Sequence, residues 1–187
     1  MYRHCITEDT VRRQRQLEQC LLRAMEKKRY GDISVRALCQ DAGISRMAFY
    51  QYFDSKDDTL VALIDHTLQD FGSFGASDSE LERFAAYWQL QKPLLDVLHV
   101  NQMDNLLTDR ALHLVLEEDY DFRRLLGAEN DESGKMVLHF TVQGILSIIQ
   151  SWHQNKYHLS TGQIAVLLRR LLHQPLMATH NNASPAF

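Results

Sequence analysis

Residues 34–56 read SVRALCQDAGISRMAFYQYFDSK, and this stretch decides the predicted fold. It predicts two short helices, over about residues 35–42 and 46–52, because each is preceded by a serine that can cap a helix. Gly43 between them supplies the backbone conformation that a tight turn needs. Two helices joined by such a turn cross at a steep angle, so the second projects from the domain. The stretch therefore predicts a helix-turn-helix over about residues 34–53, whose second helix enters a DNA major groove.

The side chains at the start of the second helix are predicted to meet the bases, and the residues after it to meet phosphates. Arg46 can bind guanine or a phosphate, and the Ala48 methyl can meet a thymine methyl. Tyr50 and Tyr52 offer hydroxyl groups to phosphates, and Lys56 opens the next helix, where backbone N–H groups also favour an anion. The full predicted DNA-binding set is Ser34, Arg36, Ser45, Arg46, Met47, Ala48, Tyr50, Gln51, Tyr52 and Lys56.

The distribution of charge supports DNA binding by the first third of the chain. The 187 residues carry a net charge of −4. Residues 1–56 hold 11 Lys and Arg against 7 Asp and Glu, whereas residues 57–187 hold 9 against 17. A basic segment at residues 1–56 followed by an acidic remainder indicates that only the basic segment binds a polyanion.

Other patterns limit the remaining classes of protein. There is no apolar run of about 18 residues and no secretory signal, so we expect a cytoplasmic protein without membrane contact. No nucleophile, phosphate-binding or dinucleotide motif is present, and we expect no enzyme activity and no cofactor. Asp109, His113 and Glu117 share a helix face and could hold a metal, but an ion-pair ladder explains them as well. We therefore predict no metal site.

The residues around Gly43 also carry a family resemblance. The Ala-Gly-Ile-Ser turn at residues 42–45, Phe49-Tyr50, Tyr52-Phe53 and Lys56 together resemble the TetR family of one-component bacterial transcription regulators. The resemblance covers about residues 10–70, and Met47 stands where the family often has a small residue. It implies an all-α fold. An N-terminal three-helix DNA-binding domain (residues 1–71) is followed by a C-terminal ligand and dimerisation domain (78–176) and a flexible tail (177–187).

Apolar periodicity and turn residues place the other helices. Thr7 or Thr10 caps a first helix that runs to residue 28 or 29, and Gly31 after it is expected to have positive φ. Asp78 or Ser79 begins another helix, and a later one covers about residues 109–120. Residues 127–134 form a predicted loop before a helix at 136–153. Ser160 or Thr161 caps the last helix.

The C-terminal pattern Phe140-x3-Gly144-Ile145-x6-Trp152 is similar to the ligand and dimerisation domain of this family, in particular to dihydroxyacetone-kinase regulators. Five residues are candidates for lining a ligand pocket, although for each one taken singly a place in the core is the favoured interpretation: Trp88, His99, Met103, Phe140 and Trp152. The helix at 136–153 is apolar on more than one side, which suggests a second subunit as a partner. The predicted dimer contacts are Gly144, Ile148, Leu168 and Leu171.

The resemblance implies a homodimeric repressor that binds a near-palindromic, double-stranded DNA operator and responds to a small-molecule effector. Two alternatives stay open at this point. The protein could be an activator, or it could act mainly through a protein partner that docks on the acidic remainder of the chain.

Overall fold

The structure is a computed structural model that describes residues 7–72, 76–117 and 131–173. Within these ranges the chain forms nine α-helices and no β-strand, which confirms the all-α prediction. The helices are α1 (Glu8–Met25), α2 (Val35–Ala42), α3 (Arg46–Phe49), α4 (Lys56–Asp70), α5 (Asp78–Leu90), α6 (Lys92–Val100), α7 (Asp104–Glu117), α8 (Glu132–Gln154) and α9 (Thr161–His173).

Helix α1 begins at a capping box and ends earlier than predicted. The Thr10 N–H donates to Thr7 Oγ1 and the Thr7 N–H donates to Thr10 Oγ1, so Thr7 is the cap. The helix ends at Met25, and a short 3-10 turn (Tyr30–Asp32) leads to α2. Gly31 lies inside this turn and does not have positive φ. The prediction for Gly31 was wrong because a 3-10 turn, rather than a left-handed residue, connects α1 to α2.

Helices α1 and α4 are joined by charged side chains. Glu18 of α1 is fully buried, and its Oε1 lies 2.9 Å from Nδ1 of His66 on α4. Burial raises the pKa of Glu18, although the hydrogen bond from His66 opposes the rise. Arg15 donates two hydrogen bonds, of 2.9 and 2.8 Å, to the carboxylate of Asp70. These contacts hold α4 against the N-terminal helices.

Helix α4 is also tied to the C-terminal part of the chain. Asp65 is only 1% exposed and accepts two hydrogen bonds, of 2.7 and 2.8 Å, from Arg110 on α7. The Tyr87 hydroxyl on α5 donates to the carbonyl of Thr67. Helix α4 therefore contacts both the DNA-binding helices and the helices that follow it.

Three boundaries in the C-terminal part differ from the predictions. Ser77, and not Asp78 or Ser79, caps α5 by a capping box with Glu80. Helix α7 starts at Asp104, earlier than the predicted residue 109. Helix α8 starts at Glu132, because Asp131 caps it by accepting from the Gly134 N–H at 2.8 Å.

The end of the predicted loop at 127–134 is therefore helical, and residues 127–130 lie outside the described residues. So do residues 177–187, which were predicted as a tail. Before α9, the Gln163 N–H donates to Ser160 Oγ and the Ser160 N–H donates to Gln163 Oε1. These two bonds confirm Ser160 as the cap of the last helix.

The close packing of α8 occurs within one chain. A Cβ built on Gly144 would lie 2.9 Å from a methyl carbon of Leu171 on α9, so Gly144 permits the approach of α9. Leu168 has no exposed surface, and Ile148 and Leu171 are half-buried against the core. The prediction of Leu168 as a dimer contact was wrong because its side chain fills the core between helices. Gly144 and Leu171 contact each other within the chain, and their part in a dimer stays a prediction.

Candidate nucleic-acid interface

The helix-turn-helix is built by local capping and by three buried side chains. The Ala37 N–H donates to Ser34 Oγ (3.2 Å), and the Ala48 N–H donates to Ser45 Oγ (3.0 Å). These bonds confirm both serines as caps, and the turn between the helices contains Gly43 with φ of 67°. The helices are held to the core by three fully or nearly fully buried side chains, Leu38, Phe49 and Phe53.

Helix α3 and the residue that follows it carry several exposed side chains. Met47 is 78% exposed at the tip of the helix, and Tyr50 is 42% exposed and meets Phe49 edge-on at 5.4 Å between ring centroids. Arg46 is exposed, and its guanidinium makes no hydrogen bond or ion pair within the described ranges. Other exposed members of the predicted set are Ser34, Arg36, Ser45 and Gln51, and Ala48 is half-buried. These groups are free to meet base edges and phosphates.

Two of the predicted phosphate contacts are less exposed than Tyr50. Tyr52 is only 8% exposed and its side chain belongs to the core, so the contact of its hydroxyl with a phosphate stays a prediction. Lys56 is half-buried, and its ammonium donates to the carbonyl oxygens of Tyr30 (2.6 Å) and Ile33 (2.8 Å). Lys56 also lies 4.0 Å from the centroid of the Tyr30 ring. An ammonium has three hydrogens, so one remains for a phosphate.

Tyr30 is a residue that the sequence analysis missed. It lies in the short 3-10 turn between α1 and α2, where apolar periodicity gives no signal. Its hydroxyl donates to Asp57, and burial together with Asp57 raises the pKa of this phenol. The only sequence cue was an aromatic residue directly after the basic residues 27–29.

Three of the five candidate pocket residues lie in the hydrophobic core or pack against it. Trp88 is fully buried between α5 and its neighbours, and its ring meets those of Phe84 and Tyr87 edge-on. Trp152 is buried, and its indole N–H donates to the carbonyl of Leu159 at 2.8 Å. Met103 is half-buried against the core. The structure therefore favours these three residues as core residues and not as the lining of a pocket.

The other two pocket candidates lie at the surface. His99 is half exposed at the end of α6, where Nδ1 lies 3.2 Å from Asp104 Oδ1. Phe140 is 53% exposed on α8 and lines an open groove of about 350 Å³ with Met136 and His139. Both side chains point outward because their helices bury other faces.

The described parts of the chain contain neither a cluster of metal-binding side chains nor a membrane-spanning helix. No three His, Cys, Asp or Glu side chains there are arranged to hold a metal ion. No helix there is long and apolar enough to cross a membrane.

An exposed second helix, capped at its start and anchored by buried aromatic rings, defines a helix-turn-helix DNA-binding protein. Residues 22–63 match the family model described as bacterial regulatory proteins, tetR family. Over 43 residues the chain is 51% identical to the HTH-type transcriptional regulator EthR of Mycolicibacterium smegmatis, a match covering 23% of this chain and 20% of that protein's length. Residues 22–63 are therefore similar to the DNA-binding domain of the tetR family of bacterial regulatory proteins.

Two solved structures share the fold over most of the chain. The dihydroxyacetone kinase operon activator DhaS has a TM-score of 0.59 and 18% identity, covering 87% of this chain and 94% of that one. A tetR-family transcriptional regulator from Streptomyces coelicolor has a TM-score of 0.56 and 18% identity, covering 85% of this chain and 80% of that one. At this identity the similarity shows the fold alone.

Proposed function

We propose that the chain is a homodimeric repressor that binds a near-palindromic operator and releases it when an effector binds. The observation that carries the DNA contact is the row Arg46, Met47 and Tyr50, exposed around the fully buried Phe49. A guanidinium, an apolar tip and an aromatic hydroxyl provide groups for guanine, thymine methyl and phosphate respectively.

Pairing of two copies is supported by apolar side chains on the outer faces of α8 and α9. Met136 and Phe140 are 71% and 53% exposed on α8, and Val166 and Leu167 are 38% and 37% exposed on α9. Exposed large apolar side chains on two helices that pack on each other are candidates for a subunit interface. In a two-fold dimer the two α3 helices would read half-sites about 34–36 Å apart, which corresponds to one turn of DNA.

Mobility-shift titration with DNA from the promoters nearest the gene tests the DNA contact. We expect Arg46→Ala and Tyr50→Ala to abolish the shift, because each removes a group that meets DNA from an exposed position. Lys92→Ala is the matched control, since it removes an exposed charge from α6. Circular dichroism should show all three variants folded. An unchanged shift for both α3 variants would overturn the assignment of α3 as the recognition helix.

Light scattering of Phe140→Glu tests the dimer surface. A carboxylate there would be buried without a partner in the proposed interface, so we expect a monomer with greatly weakened operator binding. Leu90→Glu is the matched control because Leu90 is 77% exposed on α5, outside this face. Dimers of normal affinity in the Phe140 variant would rule out this surface.

The direction of regulation is a separate point. A dimer that covers an operator blocks the promoter, and an effector that prefers another conformation lowers the bound fraction. A promoter–reporter fusion should therefore rise when the gene is deleted. A fall would instead favour activation, which is the role that the name of DhaS states for that protein.

A further inference from the structure

Every polar group of Tyr30 is engaged, and its contacts lie on two sides. Its backbone N–H donates to Asn101 Oδ1 at 2.8 Å, and its carbonyl accepts from the Lys56 ammonium at 2.6 Å. The same ammonium lies over its ring, and its hydroxyl donates to Asp57. One residue therefore connects the end of α6 to the first turn of α4.

The α6 side of this connection is well defined. Asn101 is the residue that ends α6, and its side-chain N–H donates to the carbonyl of Val97 at 2.7 Å. This bond fixes the amide plane, so that Oδ1 points at Tyr30. The guanidinium of Arg29 donates to the carbonyl of Val100 beside it. Two hydrogen bonds thus join the last turn of α6 to the segment between α1 and α2.

Tyr30 is connected to the DNA-binding helices through a second hydrogen bond of Lys56. Its ammonium also donates a hydrogen bond to the carbonyl of Ile33 at 2.8 Å. Ile33 directly precedes Ser34, the cap of α2, and Lys56 opens α4. A shift of Tyr30 therefore changes the position of both α2 and α4 at the ends that face the predicted phosphates.

We infer that Asn101 is a positioning residue for DNA binding, which couples the end of α6 to the recognition surface through Tyr30 and Lys56. The inference rests on the proposed function, because its readout is operator affinity. Asn101 lies outside the DNA surface and touches no predicted contact residue directly. Its effect passes through the backbone of Tyr30.

The test compares two asparagines in the full-length protein. Asn101→Ala removes the acceptor for the Tyr30 N–H, and we expect operator affinity to fall about threefold to tenfold, the range of one hydrogen bond. Asn155→Ala is the matched control. Asn155 ends α8 in the same way, with its side-chain N–H donating to the carbonyl of Ser151 at 2.8 Å. It should leave affinity unchanged, and circular dichroism should show both variants folded at the temperature of the binding assay.

A double variant distinguishes coupling from a general loss of structure. Lys56→Met keeps the carbon stem of the side chain but removes the ammonium that holds Tyr30. If Asn101 acts through this ammonium, Asn101→Ala should weaken binding far less in the Lys56→Met background than in the wild type. If the losses of binding free energy in the two single variants simply add in the double variant, the route through Lys56 is overturned.

Hydrogen exchange without DNA supplies an independent readout. The peptide that contains Tyr30 should exchange faster in Asn101→Ala than in Asn155→Ala, because only the first variant frees its N–H. Equal exchange together with equal affinity would overturn the inference while the wild type still binds its operator. Absence of operator binding by the wild type would instead overturn the proposed function, and the inference with it.

Discussion

Two turns of the molecule have the same pattern of backbone hydrogen bonds. They differ in the residue that adopts positive φ. Gly43 ends α2 with φ of 67°, and Gln102 follows α6 with φ of 58°. In both turns the N–H of this residue donates to the carbonyl three residues earlier, and the next N–H donates to the carbonyl five residues earlier. Glycine adopts this conformation without a steric penalty, whereas a residue with a Cβ is strained by about 1 kcal/mol. The first turn is encoded locally, and the second must be held by its surroundings.

The surroundings of the second turn are visible in the structure. On one side of it Asn101 bonds to Tyr30, and on the other side α7 is docked on α4 by Arg110 and Asp65. These contacts join residues that are far apart in the chain. The difference between the turns therefore predicts that the C-terminal helices depend more on long-range contacts than the helix-turn-helix does.

The substitution with the largest expected effect on this dependence is Arg110→Met. The substitution keeps an apolar stem but takes the bidentate partner from Asp65, which is 1% exposed. We expect the free energy of unfolding to fall by about 3 kcal/mol, because a buried carboxylate is left without its cation. Urea denaturation followed by circular dichroism measures this change.

Arg12→Met is the matched control for that variant. Arg12 pairs with Asp9 within α1 at 2.8 Å, but both side chains are more than three-quarters exposed, at 77% and 79%. Exposed pairs of this kind contribute little to stability. A loss in this variant as large as that in Arg110→Met would contradict the distinction between local and long-range support.

The same distinction explains what the sequence could predict. Ser34, Gly43 and Ser45 are turn and capping residues, and the structure agrees with the sequence on both ends of α2 and on the start of α3. The start of α7 was missed because Gln102 is no turn signal and its strained conformation is set by distant contacts. In the candidate site, residue type indicated that Lys56 is important, but its two carbonyl partners depend on how the turn at Tyr30 folds back.

A second, smaller test uses the close approach of α8 and α9. In Gly144→Ala the new methyl would lie 2.9 and 3.2 Å from the two methyl carbons of Leu171, so that side chain must shift. We expect a loss of about 1 kcal/mol, since overpacking outweighs the better helix propensity of alanine.

Gly162→Ala on α9 is the control for that test. There the nearest atom is Glu82 Oε1 at 3.6 Å, which is an ordinary contact. Helix propensity should therefore raise stability by up to about 1 kcal/mol. Equal gains in stability in both variants would show that Gly144 and Leu171 are farther apart than they are in the structure.

The smallest expected effect comes from exchanging the residues of the two turns. Gln102→Gly removes the strain of a left-handed glutamine, and we expect a gain of about 0.5 kcal/mol, because the greater freedom of glycine in the unfolded chain offsets part of the relief. Gly43→Gln should lose about 1 kcal/mol, since the strain is added where none existed. The Gln102 side chain is exposed, so its removal sacrifices no core packing. Urea denaturation of both variants at one temperature measures the pair. A loss of stability in Gln102→Gly would mean that the glutamine side chain itself supports the α6–α7 turn, and the contrast between a locally encoded and an externally held turn would then fail.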